Sequence, residues 1–292
     1  MPDYTTRVGN VEILALSDGS IRFTPDDFFP SVPAEAWDPY REYFTPEGEM
    51  IMNLGCFLLR SEGKTILIDT GLGIDTGHLE TLDKGKLLTD MEAKGIDRDE
   101  VDIVGISHLH IDHVGWNFLY DDGGEGTGSP DSEVERSGEP QATFGNARYW
   151  VANADWRVFT RGALRRRPYI PAQVLPLQEQ DILELFEGER QMTGEVSTLP
   201  TPGHTPGHTS FLIASQGERA VITGDAIHSR AQAQETHWSP RADSKPDVSA
   251  ESRKNLLERI ENENAMLISG HFPAPGFGTL VRLEGRRYWQ AV

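Results

Sequence analysis

Three histidines and one aspartate fall within residues 108–113, which read HLHIDH. The chain has nine histidines in 292 residues, so three in so short a run indicate a binding site rather than scattered surface residues. The apolar run 101–107 predicts a strand that leads directly into this motif. On an extended chain, residues two apart point the same way, so His108 and His110 can converge on one metal ion. Imidazole nitrogens with one carboxylate suit zinc or a similar divalent ion.

Three later segments each place one metal-binding side chain after a strand-like run. His204 lies in the Pro- and Gly-rich sequence TPGHTPGH, while Asp225 and His271 each follow a short apolar run and a glycine. A single His or Asp at a strand end is more often a cap or a turn residue. Together with the first motif, however, the set indicates a metal centre.

The order HxHxDH, TPGHTPGH, GD and a C-terminal GH resembles the metallo-β-lactamase-fold superfamily of metallohydrolases, from about Asn53 to His271. The resemblance implies an α/β fold, a four-layer αββα sandwich of two mixed β-sheets flanked by helices, with the site at the sheet edge. It also implies two divalent metal ions per chain, which we expect to be zinc. The implied ligands are His108, His110 and His204 for the first ion and Asp112, His113 and His271 for the second, with Asp225 bridging both.

Two further residues have an expected place relative to this site. The sequence IDTG at 68–71 resembles the DTG motif of the superfamily, in which Asp69 would brace the histidine loop; the alternative is an ordinary turn after a strand. Cys56 lies outside every ligand segment, and we expect it in the core. A single cysteine excludes an intrachain disulfide and cysteine-rich zinc modules.

The resemblance implies a hydrolase in which a hydroxide bridging two metal ions attacks the substrate. Asp112 is the residue expected to accept or shuttle the proton of the bridging water. Lactones or carboxylic esters are the expected substrates, and the alternatives are phosphotriesters and the amide bond of β-lactams. A redox protein of the same fold is disfavoured, because diiron members normally carry a Glu in the first motif, which here reads His110-Ile111-Asp112-His113.

His228 stands three residues after Asp225. Quorum-quenching lactonases of this superfamily commonly place a tyrosine there, which supports the substrate carbonyl. A histidine at this place is closer to the methyl parathion hydrolase-like members. His228 either donates a hydrogen bond to the substrate oxygen or forms a polar part of the pocket wall, and both interpretations stay open.

The chain is expected to form a single domain over residues 1–292. Apolar and alternating patterns predict strands in both halves, with a turn at Asp18-Gly19 and a hairpin turn at 61–64. The predicted strands are 11–16, 21–23, 56–59, 65–69, 101–107, 147–151, 182–186, 195–199, 209–214, 220–223 and 266–269. Helical patterns cover 77–94 and 250–262, the second with Ser249 as a cap.

Two segments without periodicity have a different expected role. Residues 28–50 are rich in Pro and aromatics, and we expect part of them to form a lid over the substrate. Residues 121–141 hold almost no apolar side chains and predict a mobile acidic, Gly-rich insertion. The expected aromatic pocket walls are Phe28, Phe29, Trp37, Tyr40, Tyr43, Phe44, Trp116, Phe272 and Phe277.

The charge of the chain limits its partners. Lys and Arg number 27 against 46 for Asp and Glu, a formal net charge of −19, which disfavours binding to nucleic acids and to anionic membranes. The beginning of the sequence lacks a signal-peptide pattern, and the apolar runs are too short to span a membrane. We therefore expect a cytoplasmic enzyme for a small apolar ester or lactone, and a homodimer is left open.

Overall fold

The computed structural model describes residues 3–74, 79, 81–120 and 138–292. Its strands form two larger mixed sheets and one two-stranded ribbon. In chain order the strands are β1 (Thr5–Val8), β2 (Val11–Phe23), β3 (Met50–Ser61), β4 (Lys64–Ile68), β5 (Thr81–Asp83), β6 (Ile103–Gly105), β7 (Phe118–Leu119), β8 (Gln141–Ala142), β9 (Arg148–Ala152), β10 (Leu183–Phe186), β11 (Val196–Pro200), β12 (Thr209–Ser215), β13 (Glu218–Ile222), β14 (Met266–Ile268), β15 (Phe277–Leu283) and β16 (Arg286–Ala291).

The first sheet has the order β1-β2-β3-β4-β6-β9-β10, and β5 pairs with β2. Its pairs are antiparallel from β1 to β4 and parallel from β4 to β10. The second sheet runs β11 to β16 in sequence order, and only the pair β13–β14 is parallel. β7 and β8 form the separate ribbon.

The two sheets pack face to face, because both faces of their central strands carry apolar side chains and one apolar face of each sheet meets that of the other. Ile66 and Ile68 of β4 share one buried cluster with Ile213 and Ile222 of the second sheet. Leu67, which lies between them, faces the opposite side and joins the cluster beneath the helices. A strand that is apolar on both faces requires a covering layer on each of them.

Helices provide those outer layers. α2 (Leu87–Ala93), α4 (Asn153–Phe159) and α5 (Leu175–Glu179) contribute to the apolar cluster outside the first sheet, and α6 (Pro246–Asn262) packs on the second. Two single-turn helices are α1 (Pro25–Phe28) and α3 (Ile111–Val114). The αββα sandwich implied by the sequence is thereby confirmed. None of the helices in the described ranges is both long and apolar enough to cross a membrane.

Shorter helical turns connect these elements. They are the 3₁₀ helices Ala34–Tyr43, Arg98–Glu100, Leu164–Arg166, Gly224–Ala226 and Arg230–Ala233 and the π-helical turn Ile170–Val174.

The predicted turn at Asp18-Gly19 is wrong. β2 continues through both residues to Phe23, with an irregular register between Ser17 and Ser20. The Asp18 carboxylate is buried, and burial raises its pKa while four N–H groups that donate to it lower it. Those donors are the backbone N–H groups of Leu72, Gly73 and Leu87 and the indole N–H of Trp116. Such distant donors are invisible in the local sequence.

The helix predicted over 77–94 is wrong in its first half. Thr81–Asp83 is a strand, and the helix begins only at Leu87. Gly85 has φ +67°, a left-handed conformation that interrupts a helix. Residues 75–78 and 80 lie outside the described residues, as do 121–137 of the predicted insertion, whose last residue, Gln141, is in β8.

Ser249 does not cap the later helix. α6 begins earlier, with Pro246 in its first turn, so Ser249 lies inside the helix and is buried. The Ser249 hydroxyl accepts a hydrogen bond from the Arg253 guanidinium at 3.1 Å.

The aromatic segment 28–50 is largely packed into an apolar cluster. Within it, Trp37 and Tyr40 are each only 2% exposed. The Trp37 ring lies 4.5 Å from the ring of Trp238 and 5.4 Å from that of Phe29. The Tyr40 hydroxyl donates to Glu235 at 2.6 Å. These contacts favour a fixed wall over a mobile lid for this part of the segment.

We predict that Trp37→Ala lowers the free energy of unfolding by about 3–5 kcal/mol, the usual loss when a fully buried aromatic side chain is truncated. Urea denaturation measures this change. Phe44→Ala, at the half-buried end of the same segment, serves as the matched control and should lose clearly less. If Trp37→Ala keeps its stability and only changes substrate preference, the segment is a lid.

Candidate metal centre

The seven predicted ligand residues lie at one edge of the two sheets. β6 ends at Gly105 and leads into the HLHIDH segment, whose last residues form α3. β11, β13 and β14 point the same way in the second sheet, since β12 is antiparallel to both β11 and β13. The loops after their carboxyl ends, which carry His204, Asp225 and His271, therefore meet at the same edge.

Four of these residues form a first group of ligand atoms: His108, His110, His204 and Asp225. The Nδ1 atom of His110 lies 2.9 Å from Nε2 of His108 and 2.9 Å from Nε2 of His204. The Oδ2 atom of Asp225 lies 3.6 Å from Nε2 of His108 and 3.2 Å from Nε2 of His204. Burial lowers the pKa of His108 and His110 well below its usual value, which leaves neutral imidazoles with free lone pairs.

The second group contains Asp112, His113 and His271 and shares Asp225 with the first. The Oδ1 atom of Asp225 lies 3.2 Å from Nε2 of His113 and 3.0 Å from Nε2 of His271. The Oδ2 atom of Asp112 lies 3.6 Å and 3.7 Å from the same two nitrogens. Each oxygen of Asp225 therefore faces a different group.

These separations fit metal ions. A tetrahedral ion with ligands at about 2.0–2.1 Å separates neighbouring ligand atoms by about 3.3 Å, and the distances in both groups scatter around that value. The buried Nε2 atom of His113 has no hydrogen-bond partner among the described residues, although it points into the second group. Buried polar atoms are nearly always paired, and a metal ion in the second group would supply a partner for this nitrogen.

The loop after β4 holds His113 in place. Asp69, with φ +60°, accepts hydrogen bonds from the backbone N–H of Ser107 at 2.7 Å and from its hydroxyl at 2.8 Å. Nδ1 of His113 lies 2.9 Å from the same carboxylate, so this nitrogen carries a proton, and in the neutral ring that a metal ion requires Nε2 would present its lone pair to the site. The expected bracing role of Asp69 is confirmed.

A buried ion pair holds His204 from behind. Nδ1 of His204 donates to Asp243 at 2.9 Å, and the other carboxylate oxygen of Asp243 lies 3.4 Å from the Arg253 guanidinium. Arg253, on α6, is fully buried and also donates to the carbonyl oxygen of Ala226, next to Asp225. Arg253 therefore contacts both the carboxylate that holds His204 and the backbone next to Asp225. The sequence analysis did not predict Asp243 or Arg253 as parts of the site, because no recognisable motif surrounds either residue.

Two other contacts fix ligands through backbone groups. Nδ1 of His271 donates to the carbonyl oxygen of Asn53 at 3.0 Å. Nε2 of His208 accepts the backbone N–H of Asp225 at 2.8 Å, and burial lowers the pKa of His208 to about 3, which keeps that nitrogen unprotonated. His208 is the second histidine of TPGHTPGH, so the motif supplies both a ligand position and a support.

The glycines of that motif allow close packing. A Cβ atom on Gly203 (φ +130°) would lie 2.2 Å from the backbone nitrogen of Ser249 in α6, and one on Gly207 would lie 2.6 Å from that of Asp155 in α4. The Asp155 carboxylate accepts the N–H of Gly207 and the hydroxyl of Thr205. The His204 loop is thereby clamped between two helices.

His228 is buried and points one nitrogen at the shared carboxylate. Its Nε2 lies 3.1 Å from Oδ2 of Asp225, and its ring stacks on His271 and meets the edge of Phe28. Burial lowers the pKa of His228 to about 4, so the ring is neutral and Nε2–H donates to Asp225. Nδ1 of His228 has no hydrogen-bond partner among the described residues. Gln232 fixes the loop by accepting the backbone N–H of His228 at 2.8 Å.

A cavity of about 450 Å³ opens onto both groups of ligand atoms. Its apolar walls come from Ile21, Phe23, Phe28, Met52, Leu79 and Ile111. Of the nine aromatic wall residues expected from the sequence, only Phe28 lines it. Tyr43, Phe44 and Phe272 line a neighbouring cavity of about 200 Å³, while Phe29, Trp37, Tyr40, Trp116 and Phe277 are buried in the core clusters. Their strand and loop context could not reveal which side each ring would face.

The fold and this site define the class of the protein. The model of the metallo-β-lactamase superfamily matches residues 56–271, and the chain belongs to that superfamily.

Several known proteins are similar to this chain. It is 26% identical over 243 residues to the N-acyl homoserine lactonase AiiA of Bacillus thuringiensis subsp. kurstaki. The aligned region covers 78% of this chain and 84% of that protein. Its fold matches AidC, a dizinc quorum-quenching lactonase solved in complex with a product, with a TM-score of 0.79, 22% identity and coverage of 99% and 98%. The hydrolase AbOPH gives a TM-score of 0.80, 24% identity and coverage of 99% and 97%.

We predict that Asp243→Ala weakens metal binding about 10- to 100-fold, because His204 loses the carboxylate that fixes its ring and its tautomer. Competition with a chromophoric chelator measures the affinity. Asp247→Asn, which changes an exposed carboxylate four residues further on, in the first turn of α6, is the control and should bind metal like the wild type. Equal affinities of wild type and Asp243→Ala would contradict the role of Asp243.

Proposed function

We propose that this protein is a dinuclear metal-dependent hydrolase that opens lactones, with zinc as its metal. The observation that carries this proposal is the shared carboxylate of Asp225, whose two oxygens face two separate groups of buried imidazoles. Three histidines and a carboxylate on one side, and two histidines and two carboxylates on the other, are donor sets that suit zinc. His108, His110, His204 and Asp225 would hold one ion, and Asp112, His113, His271 and Asp225 the other.

Zinc bound in such a pair lowers the pKa of water towards neutrality and polarises an ester carbonyl. The contribution of the chain is to keep the donor atoms fixed. Asp69 and Asp243 hold the rings of His113 and His204, and His208 holds the backbone of Asp225. Fixed donors need no rearrangement when charge develops during the reaction.

Asp112 is the residue we propose to hold the proton that leaves the attacking water. Its carboxylate lies in the cavity wall beside His113 and His271 and keeps 13% of its side-chain surface exposed, whereas that of Asp225 keeps 5%. A carboxylate that faces both the ligand groups and the cavity can accept a proton at the ligand side and release it towards solvent.

The role proposed for His228 is to position Asp225 rather than to donate a hydrogen bond to the substrate. Since its Nε2–H is directed at Asp225, we propose that His228 orients the shared carboxylate and closes the cavity wall next to Phe28. Nδ1 of a neutral ring with Nε2 protonated can only accept a hydrogen bond. The interpretation of His228 as a donor to the substrate carbonyl would require the other tautomer.

Lactones are the proposed substrates for two reasons. The lactonase AiiA and this chain align over most of both lengths. Apart from Arg167, Arg241 and Tyr169, the walls of the cavity are apolar above a polar floor, which suits an ester with an acyl chain. Phosphotriester hydrolysis is the second candidate, and the observation that favours it is the histidine at position 228. Quorum-quenching lactonases commonly place a tyrosine there, as the resemblance described above implies.

We predict that the purified protein holds about two zinc ions per chain and hydrolyses N-acyl homoserine lactones faster than aryl esters, phosphotriesters or β-lactams. Elemental analysis and a hydrolysis screen on zinc-loaded protein test both statements. Asp225→Ala should lose both ions together, because one carboxylate serves both groups. Rapid turnover of phosphotriesters without lactone hydrolysis would replace the proposed function by the second candidate.

We predict that Asp112→Asn lowers kcat about 100-fold or more, the range for removal of a general acid–base group. Zinc content must be measured on the same sample, because Asp112 also belongs to the second ligand group. Asp247→Asn is again the exposed control. A variant that holds two zinc ions and keeps kcat within threefold of the wild type would remove Asp112 from proton transfer.

A further inference from the structure

Two arginines stand out in the lining of the 450 Å³ cavity. Apart from the proposed ligands Asp112 and Asp225 and the histidines around them, Arg167 and Arg241 are the charged residues that line it in the described part of the chain. The rest of the wall is apolar or carries the Tyr169 ring. The lining of the cavity therefore combines cationic side chains with an otherwise apolar wall.

Arg241 is already neutralised. Its guanidinium forms an ion pair with Asp27 at 2.5 Å and lies 5.7 Å from the centre of the Phe23 ring. Its backbone N–H donates to the carbonyl oxygen of Phe28 at 2.9 Å. Arg241 thus joins the segments that form the wall, and its charge has a partner.

Arg167 has no such partner. It forms no ion pair with any residue in the described ranges, and its side chain is exposed at the cavity. The guanidinium lies beside the Tyr169 hydroxyl, where it opposes the effect of burial, which raises the pKa of Tyr169 to about 12. The Tyr169 hydroxyl donates in turn to the carbonyl oxygen of Leu109, between His108 and His110. Arg167 is therefore anchored close to the ligand loop.

The backbone around Arg167 is fixed as well. Its N–H donates to the carbonyl oxygen of Leu164, and its own carbonyl accepts the N–H of Ile170. Pro168 follows and restricts the chain further. An arginine on such a fixed turn loses less freedom on binding than one on a mobile loop.

The surrounding sequence reinforces this charge. Residues 156–178 contain five arginines and no acidic residue, although the whole chain has a net charge of −19. The five are Arg157, Arg161, Arg165, Arg166 and Arg167, and all are exposed. A local cluster of basic residues attracts anions even when the molecule as a whole repels them, and Arg167 is the member of this cluster that lines the cavity.

We propose that Arg167 binds an oxyanionic group, a carboxylate or a phosphate, that the substrate carries on its acyl chain. The guanidinium is a planar fork of N–H donors that matches both groups in a bidentate manner. The substrate class is then a lactone with an apolar middle and one anionic end, rather than a wholly apolar lactone. This inference rests on the proposed lactonase function and refines its substrate.

The test uses three lactones with the same ring and acyl-chain length, ending in a methyl, a carboxylate or a phosphate group. The quantity compared is the ratio of kcat/KM for each anionic lactone to that of the methyl lactone. We expect a ratio above one for the wild type at low ionic strength, and Arg167→Gln should lower it about three- to tenfold, mainly through KM. Salt at 0.5 M should lower the wild-type ratio as well.

Arg161→Gln is the matched control, because it removes the same charge from the same exposed segment outside the cavity lining. It should keep most of the wild-type ratio, whereas a loss equal to that of Arg167→Gln would overturn a direct contact. A preference for only one of the two anionic lactones that is abolished in Arg167→Gln supports the proposal. It also identifies whether the bound group is a carboxylate or a phosphate. Hydrolysis of the methyl lactone without any anionic preference overturns this inference alone. If none of the three lactones is hydrolysed, the proposed function fails instead.

Discussion

The rest of the structure depends on the position of one buried carboxylate, that of Asp225. It lies where the loop after β6 of the first sheet meets the loops after β11, β13 and β14 of the second, and four proposed ligand nitrogens lie within 3.6 Å of its oxygens. A charge so placed is stable only if cations or donors compensate it. The sandwich fold provides that compensation because parallel strand ends from the second sheet open at the edge where the first sheet delivers HLHIDH.

The supports around the ligands are themselves buried charges that the fold must compensate. Asp69 is satisfied by donors from Ser107 and His113, all within two neighbouring loops of the first sheet. Asp243 instead needs Arg253, a fully buried cation that also holds the carbonyl next to Asp225. Removing one partner of such a pair leaves an uncompensated charge, which is far more damaging than removing an exposed charge. The geometry of the site is therefore coupled to the packing of α6.

The sequence predicts the ligands better than their supports, and the reason is physical. Metal ligands must be His or Asp residues, and here each of them follows a strand. HLHIDH, His204, Asp225 and His271 are therefore each marked by a pattern in the nearby sequence. Supports need only to be near in space, and Asp243 contacts His204 from 39 residues away. The alternation of apolar residues likewise predicts most strands of both sheets, but it cannot show that β2 runs through Asp18 or that the helix begins only after Gly85.

The aromatic segment 28–50 illustrates how packing turns composition into function. Its lack of periodicity predicts a surface excursion, whereas Ala34–Tyr43 forms a 3₁₀ helix whose Trp37 and Tyr40 are buried. Composition also does not tell which rings face the substrate. Phe28 lies against His228 at the cavity, whereas Trp37 is held behind it by Trp238, and Tyr40 is tied to Glu235 and Arg286. One face of the segment thus shapes the wall while the other is anchored in the core. A wall anchored in this way keeps Phe28 and His228 at a fixed distance from Asp225, so the shape of the cavity follows from the same packing that stabilises the fold.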